Sequence, residues 1–163
     1  MSGTLMLYYS FSGNTAFVAD RMKELIPELT VERLIAENEP PKKGFARYLL
    51  GGAGAIFRLD PALFPVFHDP NTFEKVILAF PLWAGTYPPA VAALIKKAPF
   101  QGKKLYIIAC SSSGRAAKAI DAVAEALSAN ELRGSLSLTD PLSDRISSIV
   151  KIASFARFTE EDE

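Results

Sequence analysis

At 163 residues, 49% of them hydrophobic, the chain is long enough to bury a core of its own and is expected to fold as one domain over 1–163. Eighteen basic residues against 18 acidic ones leave no net field to attract nucleic acid, and no apolar run nears the ~18 residues of a membrane span. A single cysteine, Cys110, excludes an internal disulfide and a cysteine-rich metal site; with no basic segment at Met1-Ser2-Gly3-Thr4, the expectation is a cytoplasmic protein.

In chain order, Leu5-Met6-Leu7-Tyr8-Tyr9 is an unbroken apolar and aromatic run, as in a strand buried on both faces of a parallel sheet. A hydroxyl-rich turn follows, Ser10-Phe11-Ser12-Gly13-Asn14-Thr15, and then a helical pattern from Ala16 to Ile26. Phe17, Met22, Leu25 and Ile26 fall on its inner stripe, with Arg21, Lys23 and Glu24 outside. A strand, a small polar turn and a helix start make an anion site, because the first helical N–H groups lack partners and carry the positive end of the helix dipole. Ser10, Ser12, Asn14 and Thr15 add side-chain donors, and Gly13 lets the backbone come close to a ligand. The turn holds no Lys or Arg, so the anion is expected to rest on neutral donors. The residues alone equally allow a plain strand-to-helix connection capped by Ser12 or Asn14. The nucleotide P-loop and the G-x-G-x-x-G dinucleotide turn are both absent.

Pro27 ends the first helix, and Leu29 to Ile35 reads as a second strand at a sheet edge. Glu37 to Lys43 is a loop. From Phe45 to Leu59 a helical period is weakened by Gly51, Gly52 and Gly54; Lys42, Lys43, Arg47 and Arg58 make this stretch either a solvated basic face or a dock for an acidic group. Phe64 and Phe67 are expected to pack inward, and His68, the sole histidine, has no acidic neighbour in sequence.

Val76 to Phe80 is a third strand, leading through Pro81-Leu82-Trp83-Ala84-Gly85-Thr86-Tyr87 to Pro88-Pro89, which open a helix running to Lys97. Leu105 to Cys110 is a fourth strand, ending in Ser111-Ser112-Ser113-Gly114-Arg115 and a helix over Ala116 to Leu127 with Ile120, Val123, Ala124 and Leu127 inward. Leu132 to Leu138 is a fifth strand at the other edge. Ser143 is expected to cap a last helix carrying Ile146, Ile149, Val150, Ala153 and Phe155, before a frayed acidic tail. The alternation predicts an α/β three-layer sandwich on a five-stranded parallel sheet, with three loops at the carboxyl ends of strands, where open α/β sheets bind ligands.

Those three loops, in that order, resemble the flavodoxin-like family. Ser10-Phe11-Ser12-Gly13-Asn14-Thr15 matches its T/S-x-T/S-G-x-T phosphate loop, Pro81-Leu82-Trp83-Ala84-Gly85 its P-x-W-x-G flavin loop, and Ser111-Ser112-Ser113-Gly114 its third, hydroxyl- and glycine-rich loop. The resemblance spans nearly the whole chain and implies the strand order 2-1-3-4-5 and non-covalent FMN. It implies the phosphate on Ser10 to Thr15, an exposed Trp83 stacked on the isoalloxazine, and Ala84-Gly85 near the flavin N5. Ser111 to Gly114 would then donate to the pyrimidine edge, with Arg115 close by. The third loop lacks a second aromatic, so one flavin face would be open unless Tyr87 covers it. Cys110, at a strand end, reads as a small hydrophobe. The implied function is electron carriage between redox partners; the alternative is an FMN-dependent NAD(P)H or quinone oxidoreductase, and a third reading is a flavin-free interaction module. The balanced charge departs from the acidic carriers of the family and puts docking on a basic partner face in doubt.

Overall fold

The computed structural model describes residues 3–37 and 63–162. Its strands are β1 (Thr4–Tyr8), β2 (Thr30–Arg33), β3 (Lys75–Pro81), β4 (Lys104–Ser111) and β5 (Glu131–Thr139); its helices are α1 (Asn14–Leu25), α2 (Pro89–Lys97), α3 (Ala117–Ala126) and α4 (Arg145–Glu161). All strand pairs are parallel, in the order β2-β1-β3-β4-β5, the order the resemblance implies. The register sets Leu7 opposite Leu78 and Ile77 opposite Tyr106, so the most apolar strands hold the middle of the sheet. The mixed sequences Thr30–Arg33 and Glu131–Thr139 occupy its edges, where one side of a strand meets solvent.

Alternation along the central strands divides the interior in two. Leu5, Leu7, Val76, Leu78 and Ile107 face α2 and α3. Met6, Ile77, Ala79 and Ile108 face α1 and α4. Helix starts follow the carboxyl ends of β1, β3 and β4, which gathers the three loops along one rim.

Several expectations are corrected. Leu25 turns outward, and α1 packs through Val18, Ala19 and Met22, one step round from the predicted stripe. Phe64 is exposed and Phe67 is 92% exposed, because Glu32 on β2 draws the loop backbone to the sheet edge instead. The Glu32 carboxylate accepts from the N–H groups of Phe67 and His68 and faces His68 Nδ1 at 2.6 Å, giving the histidine an acidic partner 36 residues away in sequence. Asp144, not Ser143, precedes the last helix, and no side chain caps it. That helix buries Ser148, Ile152, Phe155 and Ala156, leaving Ile146 83% exposed and Val150 outward as well. Beyond its end, Asp162 accepts from Tyr106 Oη and from Arg133, whose Nε lies at 2.8 Å, so the segment is clasped rather than frayed. The helical reading of Phe45 to Leu59 lies outside the described residues. Among the described residues no helix is long and apolar enough to cross a membrane.

Candidate functional site

The first loop turns on Gly13, whose φ of 98° is a conformation that disfavours any side chain and whose added Cβ would approach Leu142 Cδ1 at 3.4 Å. Ser10 is buried; its Oγ accepts from Ala16 N at 3.1 Å, so this hydroxyl braces the helix start from below. Asn14 Oδ1 accepts from Leu142 N at 3.0 Å and its Nδ2 reaches Ser12 Oγ at 3.4 Å, tying the loop to the segment between β5 and α4. Among the described residues, nothing accepts from the backbone N–H groups of Ser12, Gly13, Asn14 and Thr15. Thr15 Oγ1, on a residue only 1% exposed, also makes no formed hydrogen bond. The first N–H groups of a helix lack intrahelical partners, and a buried hydroxyl such as that of Thr15 is normally satisfied, so the two together at this helix start fit an anion.

The second loop is a two-residue reversal. Trp83 N donates to Thr86 O at 2.8 Å and Thr86 N to Trp83 O at 3.0 Å. Between them Ala84 and Gly85 have φ of 48° and 79°, the left-handed pair of a tight hairpin turn. For Ala84 that costs about 1 kcal/mol. Both residues are exposed at the tip, and among the described residues nothing lies within 4 Å of a Cβ built on Gly85. Backbone strain held at a solvent-facing loop tip is the kind that marks a functional site.

Trp83 itself departs from expectation. It is 5% exposed and sets its ring edge-on to Tyr9 and Phe11, each centroid 5.8 Å away. The tight turn after β3 carries the indole in against Tyr9 and Phe11, beyond the carboxyl end of β1, so it forms the wall of a cleft and not an exposed platform. Tyr87 is half-buried against the same core.

In the third loop Ser111 Oγ accepts from Gly114 N at 2.9 Å, closing a turn that leaves Ser112, Ser113, Gly114 and Arg115 in solvent. Cys110 is buried, and burial pushes its thiol up to about 12; the Thr15 hydroxyl nearby offsets this slightly without reaching hydrogen-bond geometry. Such a thiol is protonated and inert at neutral pH.

These loops converge on a cleft of 130 Å³. The first contributes Phe11, Ser12 and Asn14, the second Pro81, Leu82 and Trp83, and the third Ser111 and Ser112. Ser10, Gly13 and Thr15 lie beneath or beside it, and Ala84, Gly85, Ser113, Gly114 and Arg115 lie off its lining. Enclosing ligand pockets run to about 300–1,000 Å³, so this one grips an edge and leaves most of a large ligand over its mouth. Two lining residues were missed in the sequence: Cys110, taken as core, and Asp140, which follows β5 with φ 39°. Asp140 N donates to Ser111 O at 2.9 Å, which holds the residue beside the third loop. A third missed residue is Arg33, whose Nη2 donates to Ser10 O at 3.0 Å. Its only sequence signal was its place at the end of an edge strand.

No family model matches the chain, and no curated protein matches it. Solved structures do. A flavoprotein in complex with FMN from Lactobacillus acidophilus aligns with a TM-score of 0.69 and 18% identity, covering 90% of this chain and 99% of that one. A protein of Bacteroides uniformis, described provisionally as a flavoprotein, aligns with a TM-score of 0.79 and 17% identity over 96% and 98% of the two chains. A short-chain flavodoxin associated with a bacterial microcompartment aligns at 0.58 and 11% identity, over 97% and 96%. The fold of this chain is flavodoxin-like.

Proposed function

We propose that the chain binds one FMN non-covalently and serves as a flavodoxin-like redox protein that carries electrons between partners. The observation that carries this reading is the set of four unpaired N–H groups from Ser12 to Thr15, with the idle Thr15 hydroxyl, beside a cleft that joins all three loops. The FMN phosphate would take those donors. Phe11, Leu82 and Trp83 would exclude water from one edge of the ring, with Trp83 acting through its edge. Ser111 and Ser112 offer hydroxyls and backbone N–H groups for the polar end. Ala84-Gly85 would present backbone to the ring, and the glycine at φ 79° can turn its peptide at little cost. FMN, when bound, supplies one- and two-electron transfer; the protein supplies binding, orientation and the local field. FMN complexes in a similar fold support the cofactor assignment.

A second reading is an FMN-dependent NAD(P)H or quinone oxidoreductase. It is favoured by the third loop, which brings no aromatic to the cleft and, among the described residues, leaves that side for a small substrate. Redox proteins and small-molecule acceptors are thus the proposed partners. Steady-state assays with NADPH or NADH and a quinone decide between the readings. A carrier gives turnover only when a protein reductase and acceptor are added; sustained oxidation of the nicotinamide by the chain alone assigns it as an enzyme.

A further inference from the structure

Arg33 ends β2 opposite Tyr8, on the sheet face that carries α1. From there its guanidinium reaches the first loop and donates through Nη2 to the carbonyl of Ser10. Two consequences follow. The Ser10 carbonyl, whose negative end would otherwise repel an anion at the loop, is occupied. A full positive charge is also held, through the Ser10 carbonyl, against the loop that carries the four unpaired N–H groups and the buried Thr15 hydroxyl. Among the described residues no carboxylate comes within ion-pair distance of Arg33; Arg21, by contrast, is matched to Glu24 at 2.7 Å. The Tyr8 phenol is the titratable neighbour of Arg33, with Asp20 on α1 acting on the same phenol; burial raises the Tyr8 pKa, leaving it neutral at pH 7. The charge of Arg33 is therefore available to a ligand.

We infer that Arg33 is a positioning and specificity residue for the ligand's phosphate, which makes this anion site cationic although its loop contains no basic residue. The inference rests on the phosphate assignment proposed above and goes beyond it: the discrimination between a phosphorylated flavin and its dephosphorylated form is set partly from β2. A guanidinium that already spends one N–H on the loop presents its remaining donors in a fixed fork, a geometry that lysine lacks. Because the side chain is exposed, its pull on a phosphate dianion is screened by salt.

The test is titration of the full chain and of Arg33→Gln and Arg33→Lys with FMN and with riboflavin, at low and high ionic strength, with thermal melts of the apo proteins alongside. Arg33→Gln should weaken FMN binding about three- to tenfold at low salt, with a smaller loss at high salt and no change for riboflavin. Arg33→Lys should recover part of the loss. Unchanged FMN affinity at low salt, or equal weakening for FMN and riboflavin, overturns the inference and leaves Arg33 as a brace for Ser10. If Arg33→Gln fails to fold, the wild-type salt dependence decides: FMN affinity that does not fall as salt rises overturns it as well. Failure of the underlying reading looks different, since the wild-type chain would then hold FMN no better than riboflavin before any residue is changed.

Discussion

Replacing Trp83 with alanine should damage the fold before it damages the site. The indole is buried, walled by Tyr9 and Phe11 in edge-on contact, and belongs to the core that runs on to Leu7 and Phe80. Truncating a buried Trp to Ala costs about 3–5 kcal/mol, and each edge-on aromatic pair accounts for about 0.5–1.5 kcal/mol of that. A loss of about 3–4 kcal/mol is expected, which in a domain of this size lowers Tm by roughly 6–15 °C. Trp83→Phe keeps most of the volume and one aromatic edge, and should cost about 1–2 kcal/mol. Urea unfolding of the apo protein, followed by far-UV circular dichroism, reads both values directly. A loss below about 1 kcal/mol for Trp83→Ala, accompanied by abolished flavin binding, would refute the reasoning. It would mean that the ring is a surface platform for the ligand and that its burial contributes little.

Four other perturbations have definite signs. Cys110 should resist iodoacetamide at pH 8 in the folded protein and react once urea unfolds it, since burial holds the thiol at about 12; stoichiometric labelling of the native chain contradicts this. Arg133, with Tyr106, holds the Asp162 carboxyl down to about 2, below its ordinary 3.8, so the clasp stabilises the fold above about pH 4 and is lost as pH falls toward 2. Asp162→Asn should flatten the stability profile across that window, and an unaltered acid slope by circular dichroism would remove the clasp from the account. At the cleft, Asp140→Asn should raise the midpoint potential of bound flavin by roughly 20–40 mV, while Arg115→Ala lowers it by less because Arg115 lies off the lining. Redox titration at two salt concentrations checks both, and a fall in potential for Asp140→Asn reverses the assignment.

The central strands were legible because their sequences are apolar without interruption, and only a sheet covered on both faces accommodates Leu5 to Tyr9 or Val76 to Phe80. The loops were legible because a turn between strand and helix needs small and hydroxyl residues at fixed places. Contacts made by distant residues were not. Nothing near His68 announces Glu32, and nothing near Ser10 announces Arg33; the first pairing follows from the Ala36–Leu63 bridge that brings the loop to β2, the second from β2 lying beside β1. Asp140 reached the cleft through the β5–α4 connection, where its residue type signals only a turn. The outer face of α4 misled for another reason: Ile146, Ile149 and Val150 follow a helical period that faces away from the sheet, so apolar spacing alone could not say which stripe is buried. Trp83 shows the same limit, since a loop position next to two prolines reads as exposed until the turn geometry carries the ring inward.

The phosphate-dependent flavin site is tested most directly by titrating the purified full chain, stripped of any bound cofactor, with FMN and with riboflavin while following flavin fluorescence. The account predicts saturation at one FMN per chain and riboflavin binding at least about tenfold weaker, because the donors from Ser12 to Thr15 and the Thr15 hydroxyl engage only the phosphate. Equal affinity for the two, or no saturable binding of FMN, would contradict it.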